Sequence, residues 1–218
     1  MKQAIIFDMD GTLFQTNLIL EPALQATFDI LREKGQWQGE TPIEMYRQIM
    51  GVPLPVVWET LLPNHSQETR GESNIIFQEQ LIEKIHQGRG ALYDGTEHIL
   101  RELSINYSLY IASNGQVEYL QAIVAKYRLH RWIEHIYSIQ MINSGDKSEL
   151  VKLVIAENGI TKGAVVGDRY SDIKAAKDNG LVAIGCRFDF SQPAELAKAD
   201  ITIQNLIELR DIEVEALG

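Results

Sequence analysis

Beyond residue 92 the chain alternates between two textures. Short, almost wholly apolar runs read as strands: "YSLYIAS" (107–113), "GAVVGD" (163–168), "LVAIGC" (181–186) and "ADITI" (199–203), together with "AIIFD" (4–8) near the start. Between them, segments at 96–103, 117–126, 147–158 and 172–179 place apolar residues at helical spacing. Strands that are apolar on both sides and separated by helices specify a parallel sheet covered on both faces and joined by right-handed crossovers. The expected fold class is therefore α/β, a doubly wound parallel sheet with a Rossmann-like core.

Residues 15–91 break the alternation. Apolar residues recur at helical spacing at Leu20, Leu24, Phe28 and Leu31, again over 43–50 and again over 75–85, with no convincing strand. The prolines of "GVPLP" (51–55) and "LLPN" (61–64) divide this stretch into separate short helices. Turn-rich sequence marks its edges, "FQTN" (14–17) on one side and "GRG" (88–90) with Asp94-Gly95 on the other. The pattern predicts a core made of 1–14 and 92–218 with an inserted α-helical cap domain at 15–91.

Composition narrows the setting. The chain has 218 residues, 45% of them hydrophobic, enough for one sizeable domain with an insertion. Cys186 is the only cysteine, so no intrachain disulfide can form and nothing calls for an oxidising compartment. The apolar run before Asp8 is too short for a signal peptide, and no stretch approaches the roughly 18 apolar residues of a membrane span. A cytoplasmic location, away from membranes, is the expectation. The formal charge of −10, from 30 acidic against 20 basic residues, disfavours a nucleic-acid partner while leaving small anions able to bind locally.

In open parallel sheets ligands bind beyond the carboxyl ends of the strands. The first strand delivers Asp8 there, with Asp10, Gly11 and Thr12 just after it. The 107–113 strand delivers Ser113, then Asn114 and Gly115. The 163–168 strand delivers Asp168, with Asp172 four residues on at a helix start, and Lys147 opens another helix in "GDKSEL". Like charges about 4 Å apart repel by roughly 4 kcal/mol at an effective dielectric near 20, so four converging carboxylates require a compensating cation. Hard oxygen ligands suit Mg²⁺, which takes one or two carboxylates plus phosphate oxygens. Lys147 then supplies a point charge for an anionic substrate and Ser113 a hydrogen-bond donor, which together describe a phosphoryl-transfer site.

These residues carry a resemblance. "DMDGT" (8–12), "SNG" (113–115), Lys147 and "GDRYSD" (167–172) match, in order, the four motifs of the haloacid dehalogenase-like hydrolase superfamily. The similarity runs over essentially the whole chain and is to the phosphoglycolate-phosphatase-like branch, which carries an α-helical cap. The resemblance implies that Asp8 is the nucleophile forming an aspartyl-phosphate and Asp10 the general acid/base. It implies Mg²⁺ held by the Asp8 side chain, the Asp10 main-chain carbonyl and Asp168, with Asp172 supporting it directly or through water. Ser113 and Lys147 match the phosphate-holding pair, and Asn114 and Thr12 are expected to bind the phosphate or substrate beside them. The implied substrate is a small phosphorylated metabolite.

Other functions fit less well. A dehalogenase of this family generally lacks the second aspartate, and a sugar-phosphate mutase would place a histidine soon after the first motif, where residues 13–27 hold none. A catalytically silent binding or regulatory protein would need neither nucleophile nor acid/base. Taken singly, Asp8 and Asp10 could be turn formers and Lys147 a surface lysine. Ser171 could cap a helix, with Asp172 favoured in its first turn and Gly180 closing it. The histidines at 65, 86, 98, 130 and 135 follow no metal-ligand spacing, and Cys186 reads as a packing residue. Arg47, Trp58 and Arg70 of the insertion could equally meet a substrate or pack.

Overall fold

In the computed structural model, residues 2–49 and 54–212 are described. They form two compact units, one holding residues 2–15 and 91–212 and the other residues 16–49 and 54–90. Six strands build the sheet of the first unit: β1 (Lys2–Phe7), β2 (Ser108–Ser113), β3 (Ile133–Ser138), β4 (Ile160–Gly167), β5 (Val182–Cys186) and β6 (Ile201–Ile203). Their order is β3-β2-β1-β4-β5-β6, with every pairing parallel. Strand order reverses between β1 and β4, which makes their carboxyl ends the switch point of a doubly wound sheet. The predicted α/β class is the observed one.

Helices α5 (Thr96–Leu103), α6 (Val117–Lys126), α7 (Lys147–Asn158) and α8 (Tyr170–Asp178) connect the strands, and the short α9 (Pro193–Leu196) precedes β6. Ala4, Ile6, Tyr110, Val165 and Ala183 of the sheet pack with Leu150, Val151, Val154, Ile173 and Ala176 of α7 and α8 in one buried cluster. Local sequence sets where α7 begins. The Asp146 carboxylate caps it by accepting from Ser148 N–H at 2.9 Å, which fixes Lys147 as its first residue. Gly159, with φ 63°, closes it in the left-handed conformation that a Cβ disfavours.

In the sheet-bearing unit, two elements depart from the sequence reading. β3 was not expected, because "IEHIYS" interrupts its apolar run with Glu134 and His135; both are exposed. An edge strand needs no continuous apolar surface, so the burial signal is diluted there. α8 begins at Tyr170 with Arg169 as its N-cap, so Ser171 lies within the first turn instead of capping it.

The second unit holds α1 (Asn17–Glu33), α2 (Ile43–Gln48), α3 (Leu54–Leu61) and α4 (Gln67–His86). Leu24, Phe28 and Leu31 of α1 are buried as their spacing predicts, whereas Leu20 is only half-buried. Phe28 stacks on Trp58, which meets Phe77 edge-on, making an aromatic centre for the bundle. α4 starts well before residue 75, since Ser66 caps it by accepting from Thr69 N–H at 3.1 Å and its first two turns are polar. Met50 and the Gly51-Val52-Pro53 part of "GVPLP" lie outside the described residues. Among the described residues, no helix is long and apolar enough to cross a membrane.

Candidate active site

The ladder between β1 and β4 runs one residue past β1, with Asp8 N–H donating to the Val166 carbonyl at 2.9 Å, so Asp8 leaves the sheet beside the end of β4. The chain then curls around the Met9 carbonyl, which accepts from Leu13 N–H at 3.0 Å and Phe14 N–H at 2.9 Å. Gly11 makes the curl possible on two counts. Its φ is 72°, and a Cβ there would lie 2.5 Å from Asp168 Oδ2. Gly167 has a similar duty, because a Cβ on it would lie 2.1 Å from the Asp172 carboxyl carbon. Asp172 is held from its own helix, accepting from Arg169 N–H at 3.0 Å in the first turn of α8.

Asp8, Asp168 and Asp172 are all buried and bring carboxylate oxygens within 4.8 Å of one another. Lys147, 3% exposed, lies among them with Nζ 2.7 Å from Asp8 Oδ1 and 2.5 Å from Asp172 Oδ1. Three carboxylates against one ammonium leave two charges uncompensated. Asp168 Oδ2, moreover, is buried without a hydrogen-bond partner. An orphaned carboxylate oxygen in an all-oxygen cluster two charges short of neutrality suits a divalent cation, so the residues present fit a hard metal ion.

The electrostatics carry the same signature. Burial pushes Asp8 up to about 7, with Asp172 and Asp10 adding to the push and Lys147 opposing it. Burial, reinforced by Asp8 and Asp172, pushes Asp168 up to about 8. Burial works against the charged form of Lys147, but Asp172 and Asp8 together hold its ammonium above the ordinary lysine range. A carboxyl whose folded-state pKa is raised contributes stability that is present at low pH and lost as pH climbs through the folded value. Metal-free protein should therefore lose stability between about pH 4 and pH 8, and a bound cation should relieve that loss. The expected outcome is a Mg²⁺-induced rise in melting temperature of about 5 °C or more near pH 8.5 that shrinks to a degree or so near pH 5.5. A rise independent of pH, read by calorimetry, would count against the cluster as the binding site.

The remaining sequence-derived residues occupy the same edge. Ser113 ends β2, is buried, and accepts from Gly115 N–H at 3.1 Å, while Asn114 is exposed on the following turn. The buried Thr12 directs its hydroxyl at Asp168 Oδ1, 3.4 Å away. Asp10 is half-buried and accepts from the Tyr119 hydroxyl at 2.5 Å. In the helical unit, Arg47 pairs with Glu21 and Glu44. Trp58 donates to Asn74 Oδ1, and Arg70 holds the carbonyls of Leu62 and Pro63, so each of the three has a structural partner. Tyr119 is the contributor that sequence reasoning passed over, because it stands among the apolar residues of α6 with Leu120 and Ile123 and reads as core.

The sequence profile of haloacid dehalogenase-like hydrolases matches residues 5–186. Among curated proteins, the chain is 23% identical over 211 residues to the pyrophosphatase PpaX of Listeria innocua, covering 94% of this chain and 93% of that one. It is 23% identical over 204 residues to a 5'-nucleotidase of Pseudomonas aeruginosa, covering 88% and 86%. Among solved structures, a predicted phosphoglycolate phosphatase from Haemophilus somnus superposes with a TM-score of 0.81 at 17% identity, covering 96% of this chain and 97% of that one.

Proposed function

The chain belongs to the haloacid dehalogenase-like hydrolase family, and on that premise we propose that it is a Mg²⁺-dependent phosphatase that hydrolyses a small phosphomonoester through an aspartyl-phosphate on Asp8. The observation that carries this reading is the buried constellation of Asp8, Asp168, Asp172 and Lys147 at the switch point, two charges short of neutrality and with an orphaned oxygen on Asp168.

Asp8 attacks phosphorus as the ester P–O bond breaks, and Asp10 gives its proton to the departing oxygen. Asp10 then takes a proton from the water that attacks phosphorus, which frees phosphate and restores the Asp8 carboxylate. Lys147 and Ser113 hold the phosphoryl oxygens, while Thr12 and Asn114 line the approach. Asp8, the Asp10 carbonyl and Asp168 would hold the metal, with Asp172 supporting it. Mg²⁺, when bound, supplies positive charge that offsets the clustered carboxylates and the phosphoryl group.

The names of similar proteins support a phosphorylated small molecule as substrate: a pyrophosphatase and a 5'-nucleotidase on the sequence side, a predicted phosphoglycolate phosphatase on the structural side. A panel of pyrophosphate, nucleoside monophosphates, sugar phosphates and phosphoglycolate, assayed with Mg²⁺, tests the reading. At least one phosphomonoester should be hydrolysed, and the activity should vanish on exhaustive chelation. Ca²⁺ should restore no more than about a tenth of it, because the larger ion is coordinated more loosely around the nucleophile. Full activity in chelator, or equal rates with Ca²⁺, would refute the metal dependence.

A further inference from the structure

We infer that Tyr119 is a positioning residue for the proton carried by Asp10, a role that rests on the phosphatase reading above. Its hydroxyl donates to Asp10 Oδ1 at 2.5 Å, and the tyrosine itself is buried, 4% exposed. With Oδ1 engaged as an acceptor, a proton on Asp10 resides on Oδ2, and the bond restrains the orientation of the carboxyl group. The tyrosine thereby selects both the oxygen and the direction from which the leaving group is protonated.

The loop leading into the helix that carries Tyr119 is tied down by hydrogen bonds. Ser138 Oγ donates to the Gly115 carbonyl at 2.6 Å, Gly115 N–H donates to Ser113 Oγ at 3.1 Å, and Gln140 Oε1 accepts from Val117 N–H at 2.9 Å. A Cβ at Gly115 would come within 3.1 Å of the Tyr119 ring and 2.9 Å of Leu120, so this glycine lets the first turn of α6 sit close against the strand-end loop. Gly115 and Val117, on either side of the helix N-cap, are thus set by one hydrogen-bonded unit, and the Tyr119 ring packs beside Gly115. Asp10, by contrast, lies on a curl held by main-chain bonds to Met9, and the bond from Tyr119 ties its side chain to a second element. Hydrogen-bond geometry of this kind decides general-acid efficiency, because a proton must point at the oxygen that receives it.

The test compares two esters in Tyr119→Phe, which keeps the ring and removes the hydroxyl. The alkyl phosphomonoester that the panel shows to be hydrolysed fastest has a poor leaving group that needs the proton, whereas p-nitrophenyl phosphate has a good one that does not. Rapid-mixing measurement of nitrophenolate release isolates the first chemical step. The expected result is a fall of about tenfold or more in kcat for the alkyl ester, less than about threefold in the nitrophenolate burst, and KM nearly unchanged for both. In an Asp10→Asn background the same substitution should have no further effect on the alkyl ester, since the group it positions is gone. Equal losses on the two esters, or a full loss persisting in the Asp10→Asn background, would overturn the role of Tyr119 and leave the phosphatase reading standing. Failure of the unsubstituted protein to hydrolyse any phosphoester of the panel with Mg²⁺ would overturn both.

Discussion

Asp8→Asn is expected to lower phosphate release by about 10⁴-fold or more and to leave no acyl phosphate trapped after acid quench, whatever the ester supplied. The amide keeps the shape of the side chain but cannot attack phosphorus. Lys147 retains its contact with Asp172, so the local fold has a remaining ion pair to hold it. Asp10→Asn should behave differently. With an aryl phosphate, whose leaving group needs little protonation, it should still accumulate some aspartyl-phosphate and then turn over slowly, because no base accepts the proton of the attacking water. A phosphoenzyme in Asp8→Asn, located by peptide mass analysis, would reassign the nucleophile.

Lys147→Ala should have the largest effect on stability. Its ammonium is the counter-charge for both Asp8 and Asp172, and breaking a buried ion pair by removing one partner typically costs about 3–5 kcal/mol. Denaturant unfolding in chelator near pH 8 should show a loss of that order. The loss should shrink toward about pH 5, where Asp8 takes up a proton, and part of it should return with millimolar Mg²⁺. This recovery separates electrostatics from lost packing. A loss independent of both acid and metal would mean that Lys147 acts through its aliphatic stem, and Lys147→Met would then restore stability.

The carboxylate cluster was legible in the sequence because strand ends in a parallel sheet project to one edge, so Asp8, Ser113 and Asp168 could be brought together without knowing strand order. Helices near 96–103 and 117–126 were readable from an apolar stripe with polar flanks, and the helix near 147–158 from its apolar residues between Asp146 and Gly159. What escaped notice lay where burial is partial or shared. β3 pairs on one side only and mixes Glu134 and His135 into its run, and the polar first turns of α4 are held by a cap instead of by packing. Tyr119 escaped for the opposite reason, since a buried tyrosine among apolar neighbours gives no sign that its hydroxyl reaches a carboxylate from a distant part of the chain. Lys147 illustrates a third case. Its presence at a helix start was readable, but its simultaneous contact with two carboxylates depends on α7, β1 and α8 meeting, which no local pattern encodes.

The seam at residues 15 and 91 has an evolutionary meaning. Gln15 N–H donates to the Ala91 carbonyl at 2.8 Å, and Gln15 Nε2 donates to the Leu92 carbonyl at 2.8 Å, so the chain returns beside the point from which it departed. The ends of the helical stretch are stitched to each other inside the sheet-bearing unit, and the strand ladder of β1 to β6 passes through none of residues 16–90. Insertions, deletions or wholesale exchange between those two stitches leave strand register untouched. Selection can therefore rewrite the helical segment without disturbing the sheet whose strand ends carry the carboxylate cluster, so the two parts of the chain are free to diverge at different rates.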